Sequence, residues 1–107
     1  MSTSRTDYVI YGVNVGYDNV TWDDFAPELG GSPDARFDII YDGMNGEYAW
    51  VGKILARGDE YEGFGNGVDL SPYDESQMVA MMEVISAFPA LNLTMQDFKM
   101  FAVSHFS

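Results

Sequence analysis

The strongest constraint on the fold of this 107-residue chain is a pair of alternating segments that flank a turn sequence. Residues 36–42 alternate so that Phe37, Ile39 and Tyr41 would point to one face of a strand. The Gly-Met-Asn-Gly sequence at 43–46 is typical of a turn, and residues 47–57 resume the pattern of a strand. We therefore expect a β-hairpin.

A four-residue connection predicts the register of this hairpin. The predicted cross-strand pairs are Asp42 with Glu47, Tyr41 with Tyr48, and Ile39 with Trp50. This register stacks aromatic side chains on one face of the hairpin. On the other face it places two carboxylates side by side, where like charges repel by up to about 1 kcal/mol. We expect a surface that tolerates this repulsion to bind a cationic group.

Two helices and two further strands are indicated along the chain. Residues 7–15 are rich in β-branched and aromatic side chains, which favours a central strand. A capping box at Thr21 to Asp24 predicts a short helix that ends near Leu29. A second capping box at residues 71–74, with proline at the first helical position, predicts another helix that Pro89 stops. Its predicted apolar stripe comprises Met78, Met81, Met82, Ile85 and Phe88.

The last strand has an alternative. Residues 98–106 alternate, with Phe101, Val103 and His105 opposite Met100, Ala102 and Ser104, and this pattern favours a strand. Thr94 could instead cap a helix over the same residues. With the strand, the element order is β-α-β-β-α-β. This order resembles the ferredoxin-like sandwich, an α+β fold in which a four-stranded antiparallel sheet carries two helices on one face.

The chain length predicts a single compact domain over residues 1–107, with a flexible N-terminus at 1–6. The composition of residues 58–70 predicts a long, acidic, glycine-rich, mobile loop. One sheet face would be covered by the helices and the other would be open. The face predicted under the helices holds Val9, Tyr11, Val13, Phe37, Ile39, Tyr41, Trp50, Ile54 and Phe101. The face predicted to be open holds Tyr8, Ile10, Asp38, Ile40, Asp42, Glu47, Val51 and Met100.

Charge decides which partners suit this chain. The formal net charge is −12, and residues 1–75 carry 15 of the 17 acidic side chains. Such a charge repels nucleic acid and anionic lipid, so we expect neither direct nucleic-acid binding nor membrane binding.

The chain has no cysteine, which rules out disulfides and thiolate metal sites. The sequence shows no signal peptide and no apolar span, so we expect a cytoplasmic protein.

We expect a non-enzymatic acidic interaction protein that binds and blocks a basic protein, which could itself bind nucleic acid. Small acidic proteins without cysteine that mimic nucleic acid and inhibit nucleases are familiar from viruses and mobile elements, and this chain resembles them in composition. Its charges would pair with lysine and arginine, and aromatic residues would anchor the contact. The predicted contact residues are Asp38, Asp42, Glu47, Asp59, Glu60, Tyr61, Glu62 and Phe64.

Other functions remain open from the sequence. No cofactor or metal motif is present, and chance carboxylate pairs are expected among 17 acids, so we expect no enzymatic activity. The alternatives are a small-molecule-binding or enzymatic domain with its site at loop 58–70, and a homo-oligomeric structural protein. A homodimer would pair the open sheet face.

Overall fold

The fold is a four-stranded antiparallel sheet with two helices. A computed structural model describes residues 4–65, 67–70 and 74–106. The strands are β1 (Arg5–Asn14), β2 (Asp38–Tyr41), β3 (Ala49–Gly58) and β4 (Lys99–Phe106), and the helices are α1 (Trp22–Leu29) and α2 (Glu75–Ala87). The strand order is β2-β3-β1-β4, and each neighbouring pair is antiparallel. The predicted ferredoxin-like arrangement is confirmed.

Local signals place both helices. Thr21 is the N-cap of α1, as predicted, and the helix is kinked at Phe25, two residues before Pro27, which has no N–H to donate. The N-cap of α2 is Asp74, whose carboxylate accepts the N–H of Gln77 at 3.1 Å. The helix therefore begins at Glu75, later than predicted, and residues 71–73 of the predicted capping box lie outside the described residues.

The cap at Thr94 and the alternating segment that follows it are both present in the structure, one after the other. Thr94 and Asp97 form a capping box around one 3₁₀ turn, Met95–Asp97. The alternating segment then begins, and β4 follows at Lys99. The predicted strand is confirmed, and the cap that suggested a helix closes a single turn before it.

The hairpin register differs by one residue from the prediction. The observed pairs are Ile39 with Val51, Ile40 with Trp50, and Tyr41 with Ala49. Asp42 causes the shift, because its N–H donates to the carbonyl of Tyr48 and its own carboxylate sits inside the turn. A shift of one residue turns every side chain of a strand to the other face.

The predicted faces of β3 are therefore corrected, and those of β4 are corrected by its own pairing with β1. Val51 is fully buried in the core beneath the helices, while Trp50 lies on the opposite face. Phe101 accompanies Trp50 there, since the two rings are in contact, tilted by 47° with their centroids 4.5 Å apart. Phe101 also pairs with Ile10, so both belong to the face that was expected to be open.

The core under the helices is built from side chains of both helices and the sheet. Phe25 of α1 stacks on Phe88 with ring centroids 4.8 Å apart, and Met81 and Val84 of α2 lie against the sheet. The predicted methionine stripe is only partly buried, because Met78 and Met82 are 44% and 59% exposed. Gln77, Ala80 and Val84 take the inward positions of α2 instead.

The sheet is strongly coiled, which partly closes the opposite face. Tyr48 precedes Trp50, which pairs with Asn14 near the end of β1, whereas His105 pairs with Thr6 near the start of β1. Asn14 and Thr6 are eight residues apart along β1, which corresponds to roughly 26 Å in a flat sheet. Yet the Tyr48 hydroxyl lies 2.8 Å from Nδ1 of His105. The curvature buries Ile10 completely.

Candidate functional site

Part of the predicted loop forms an ordered turn, which we call the acidic tip (Asp59–Gly63). The carboxylate of Asp59 accepts the N–H groups of Tyr61 and Glu62 at 2.9 and 2.7 Å. The N–H of Gly63 donates to the carbonyl of Asp59 at 2.9 Å, and the two residues form an antiparallel bridge. Gly58 is required beside it, because a Cβ there would collide with the carbonyl of Gly63. The acidic tip therefore has a defined backbone.

The acidic tip presents a tyrosine between two glutamates. Tyr61 is 88% exposed, more than any other large apolar or aromatic side chain in the described part of the chain. Glu62 is exposed beside it, and Glu60 accepts the N–H of Arg5 at 3.4 Å. An aromatic side chain held on an ordered turn among carboxylates is suited to contact a surface that combines an apolar pocket with basic groups.

The start of β1 adds a carboxylate to this end of the molecule. Asp7 pairs with Gly58 in the ladder, accepts a hydrogen bond from Ser104 at 2.8 Å and forms an ion pair with Arg5 at 3.4 Å. Asp7 is not among the contact residues predicted from the sequence. Its strand position was predictable, but its closeness to the acidic tip depends on the pairing of β1 with β3, which no local signal reveals.

Two of the predicted contact residues serve the fold. Asp38 is the first residue of β2 and pairs with Gly52 of β3. Its carboxylate accepts the N–H of Ile54, two residues further along β3, at 2.8 Å. Asp42 is 3% exposed, and its carboxylate accepts the N–H groups of Met44, Asn45 and Glu47 at 2.9–3.2 Å. These backbone donors hold the pKa of Asp42 below its ordinary value.

The expected repulsion between Asp42 and Glu47 is therefore replaced by a turn. The N–H of Glu47 donates to Asp42, and the side chain of Glu47 is exposed. Glu47 lies two residues before the first residue of β3, whereas the acidic tip and the half-buried Phe64 follow its last residue. The structure thus separates the predicted contact residues. Asp42 and Glu47 lie near the start of β3 and Asp38 lies beside its middle, whereas Asp59, Glu60, Tyr61 and Glu62 are gathered just after its end.

Few of the carboxylates are neutralised within the fold. The ion pairs in the described ranges are Arg5–Asp7 and Arg36–Glu28, the latter at 2.9 Å. Burial raises the pKa of Glu28, but hydrogen bonds from the side chain and backbone of Arg36 outweigh it, so the pKa lies below its ordinary value. The Arg57 guanidinium lies over the ring of Tyr8 at 5.2 Å. Within the described ranges, the ion pairs thus engage Asp7 and Glu28 of the 17 acidic residues.

The described residues show no prepared metal site. Across 4–65, 67–70 and 74–106, no group of three or more histidine, aspartate or glutamate side chains is placed to hold a metal ion. Within the same ranges, every buried side-chain nitrogen or oxygen has a hydrogen-bond partner. Loop 58–70 contributes Asp69 to a cleft of about 210 Å³ that also has Lys53 and Asp74 on its walls.

Comparison with protein-family models, curated proteins and solved structures finds no match to this chain. In the described ranges, neither helix has the length and apolarity to cross a lipid bilayer. Function must therefore be inferred from the geometry and charge of the molecule.

Proposed function

We propose that this chain is a non-enzymatic interaction protein that binds and blocks a basic protein surface, with the acidic tip as its contact site. The observation that carries the proposal is Tyr61, almost fully exposed on a hydrogen-bonded turn between Glu60 and Glu62. The target is a protein whose basic site normally binds nucleic acid, and the chain acts as a viral or mobile-element inhibitor would, by occupying that site.

The turn favours affinity because its backbone is already ordered. Two N–H groups bound by the Asp59 carboxylate hold Tyr61 and Glu62 in place before any partner arrives. Ordering a flexible loop on binding costs free energy, and a preformed turn avoids most of that cost. Tyrosine then adds a large contact area while only a few side-chain torsions are fixed.

The surrounding charge favours rapid and selective association. A net charge of −12 attracts a basic surface over the range of the Debye length, about 8 Å at physiological ionic strength. Glu60 and Glu62 would pair with lysine or arginine of the partner, and Phe64 would extend the apolar contact. Asp38 and Asp42 contribute through the field of the molecule, because their carboxylates already accept backbone hydrogen bonds.

The test is affinity capture with the full chain from a lysate of its host, followed by binding assays with the purified captured protein. We expect a basic protein that binds at low salt and is released at high salt. Tyr61→Ala should weaken the complex at least about tenfold, as removal of an aromatic anchor does. Glu60→Gln combined with Glu62→Gln should slow association.

The matched control is Asp23→Asn combined with Asp34→Asn, which changes the net charge equally at exposed positions outside the acidic tip. A partner lost by the tip variants and kept by the control supports the proposal. Equal loss in both would mean that overall charge, and not the acidic tip, makes the contact. Capture of no salt-released basic protein would contradict the proposal as a whole.

A further inference from the structure

The two edges of the sheet differ in how well they are protected. β2 is a four-residue edge strand with Asp38 at its first position and Asp42 just after its last. Short, charged edges of this kind resist pairing with another chain. β4 is eight residues long, pairs with β1 along its whole length without a register shift, and has no other strand partner in the described ladder. It contains neither proline nor an acidic residue.

Most of the outer edge of β4 is accessible. At the end of the strand, Tyr48 lies against the His105 ring and the backbone of Phe106. The accessible stretch is therefore residues 99–104, which has one charged side chain, Lys99, at its first position. Six residues exceed the length of β2, which suffices for stable pairing inside this sheet.

The side chains next to this edge are apolar and uncovered. Met100 pairs with Tyr11, whose hydroxyl contacts the Sδ atom of Met81 at 3.9 Å, so Met100 lies on the helix-bearing face. It is nevertheless 50% exposed, and Ala102, two residues along on the same face, is exposed as well. An apolar edge with unpaired backbone groups is a template for another strand.

Charge identifies the occupant. Two copies of a chain with a net charge of −12 repel each other across most of their surfaces. Residues 76–107 have only Glu83 and Asp97 against Lys99, so they are nearly neutral. A basic partner gains nothing from this edge and is drawn to the acidic residues elsewhere. A second copy, by contrast, meets the least repulsion here and offers an edge of equal length and character.

We propose that β4 pairs with β4 of a second copy, in antiparallel orientation about a two-fold axis near Ala102. Such an interface is self-complementary, because the same patch serves both subunits. The two four-stranded sheets would become one continuous sheet. On its helix-bearing face Ala102 would lie opposite Ala102 of the second copy, and Met100 opposite Ser104. This pairing differs from the face-to-face dimer that the sequence left as an alternative, because the coiled sheet has partly closed that face.

The test is the solution mass of the full chain by light scattering and sedimentation over a range of concentrations and salt. We expect a concentration-dependent rise from 11.9 kDa to twice that mass. Added salt should strengthen the dimer, because it screens the repulsion between the copies. The proposed complex with a basic protein has the opposite salt dependence, so failure of one proposal is distinguishable from failure of the other.

Ala102→Glu places like charges at the two-fold axis and should weaken dimerisation at least about tenfold, since juxtaposed like charges strongly oppose association. Ala90→Glu is the matched control, with the same substitution at an exposed position in the turn after α2. Met100→Glu provides a second disruptive variant if circular dichroism shows that Ala102→Glu does not fold. A chain that stays at 11.9 kDa under all conditions, or a dimer that these variants and the control affect equally, would overturn the proposal.

Discussion

A single carboxylate sets the register of the β2–β3 hairpin. Asp42 is almost inaccessible to solvent and accepts three backbone N–H groups of the connection that follows it. Gly46, with φ of 66°, completes the connection in a conformation that side chains disfavour. The turn therefore depends on one aspartate and one glycine. Because the turn sets the register, it also determines which sheet face Trp50 and Val51 occupy.

Replacement of Asp42 should destabilise the protein strongly. In Asp42→Ala, three backbone N–H groups lose their acceptor in a place that solvent reaches poorly, and unsatisfied donors are costly. We expect the thermal midpoint to fall by more than about 5 °C. Asp34→Ala, at an exposed acidic position, should leave the midpoint nearly unchanged. A small effect of Asp42→Ala would mean that the turn forms without this carboxylate.

At the scale of the element, β1 and β3 approach closely because two glycines face each other. Gly12 pairs with Gly52, which has φ of 150°, in the middle of both strands. A Cβ on Gly12 would collide with the carbonyl of Val51, and a Cβ on Gly52 with that of Tyr11. A bulge between Val9 and Ile10 lies a short distance along β1. Glycines and bulges are the usual means by which strands bend sharply.

Gly52→Ala should therefore be among the most damaging small substitutions. The added methyl meets main-chain atoms that move only if both strands move, so we expect a loss of about 3 kcal/mol in the free energy of unfolding. Gly43→Ala is the control, because a Cβ there would meet open space and its φ is not positive. Urea denaturation of both variants measures the difference. Equal stability of the two would show that the strands can separate at the glycine pair.

At the scale of the whole molecule, the coiled sheet is joined at a contact between distant parts of the chain. Tyr48 and His105 are 57 residues apart, and the hydroxyl lies 2.8 Å from Nδ1. The Tyr8 ring lies 6.3 Å from the His105 ring, between their centroids. Burial lowers the pKa of His105 from its ordinary value of 6.5, and the charge of Asp42 opposes that shift. Burial thus favours the neutral imidazole, whose Nδ1 shares a hydrogen bond with the Tyr48 hydroxyl.

This contact should make stability depend on pH near neutrality. Because the pKa of His105 is lower in the folded state, the unfolded chain binds more protons as pH falls below 6.5. The stabilisation is therefore fully present above that pH and is lost as pH falls through the folded pKa. Denaturation midpoints between about pH 5.5 and 7.5 should rise with pH in the parent chain and vary less in His105→Gln. A folded-state titration of His105 above 6.5 would contradict the assigned shift.

The helices, the strands and their order follow from short-range signals. Thr21 is the N-cap residue of α1, Asp74 caps α2 through a local hydrogen bond, and the alternation at 99–106 is contained in the strand itself. The acidic character of residues 59–62 is likewise plain in the chain. Each of these depends on residues a few positions apart, and local chemistry is sufficient to specify them.

The tertiary structure decided which faces those elements present. A one-residue shift at Asp42 places Trp50 on the face opposite the helices. Coiling of the sheet at Gly12 and Gly52 brings Tyr48 into contact with His105. The same long-range pairing brought Asp7 to the acidic tip and left β4 as the long edge. The sequence by itself thus determined the elements, their order and the charge, since those are local or additive properties. The strand register, the curvature of the sheet and the residues that lie beside the acidic tip were decided only by the tertiary structure, because they arise from contacts between residues far apart in sequence.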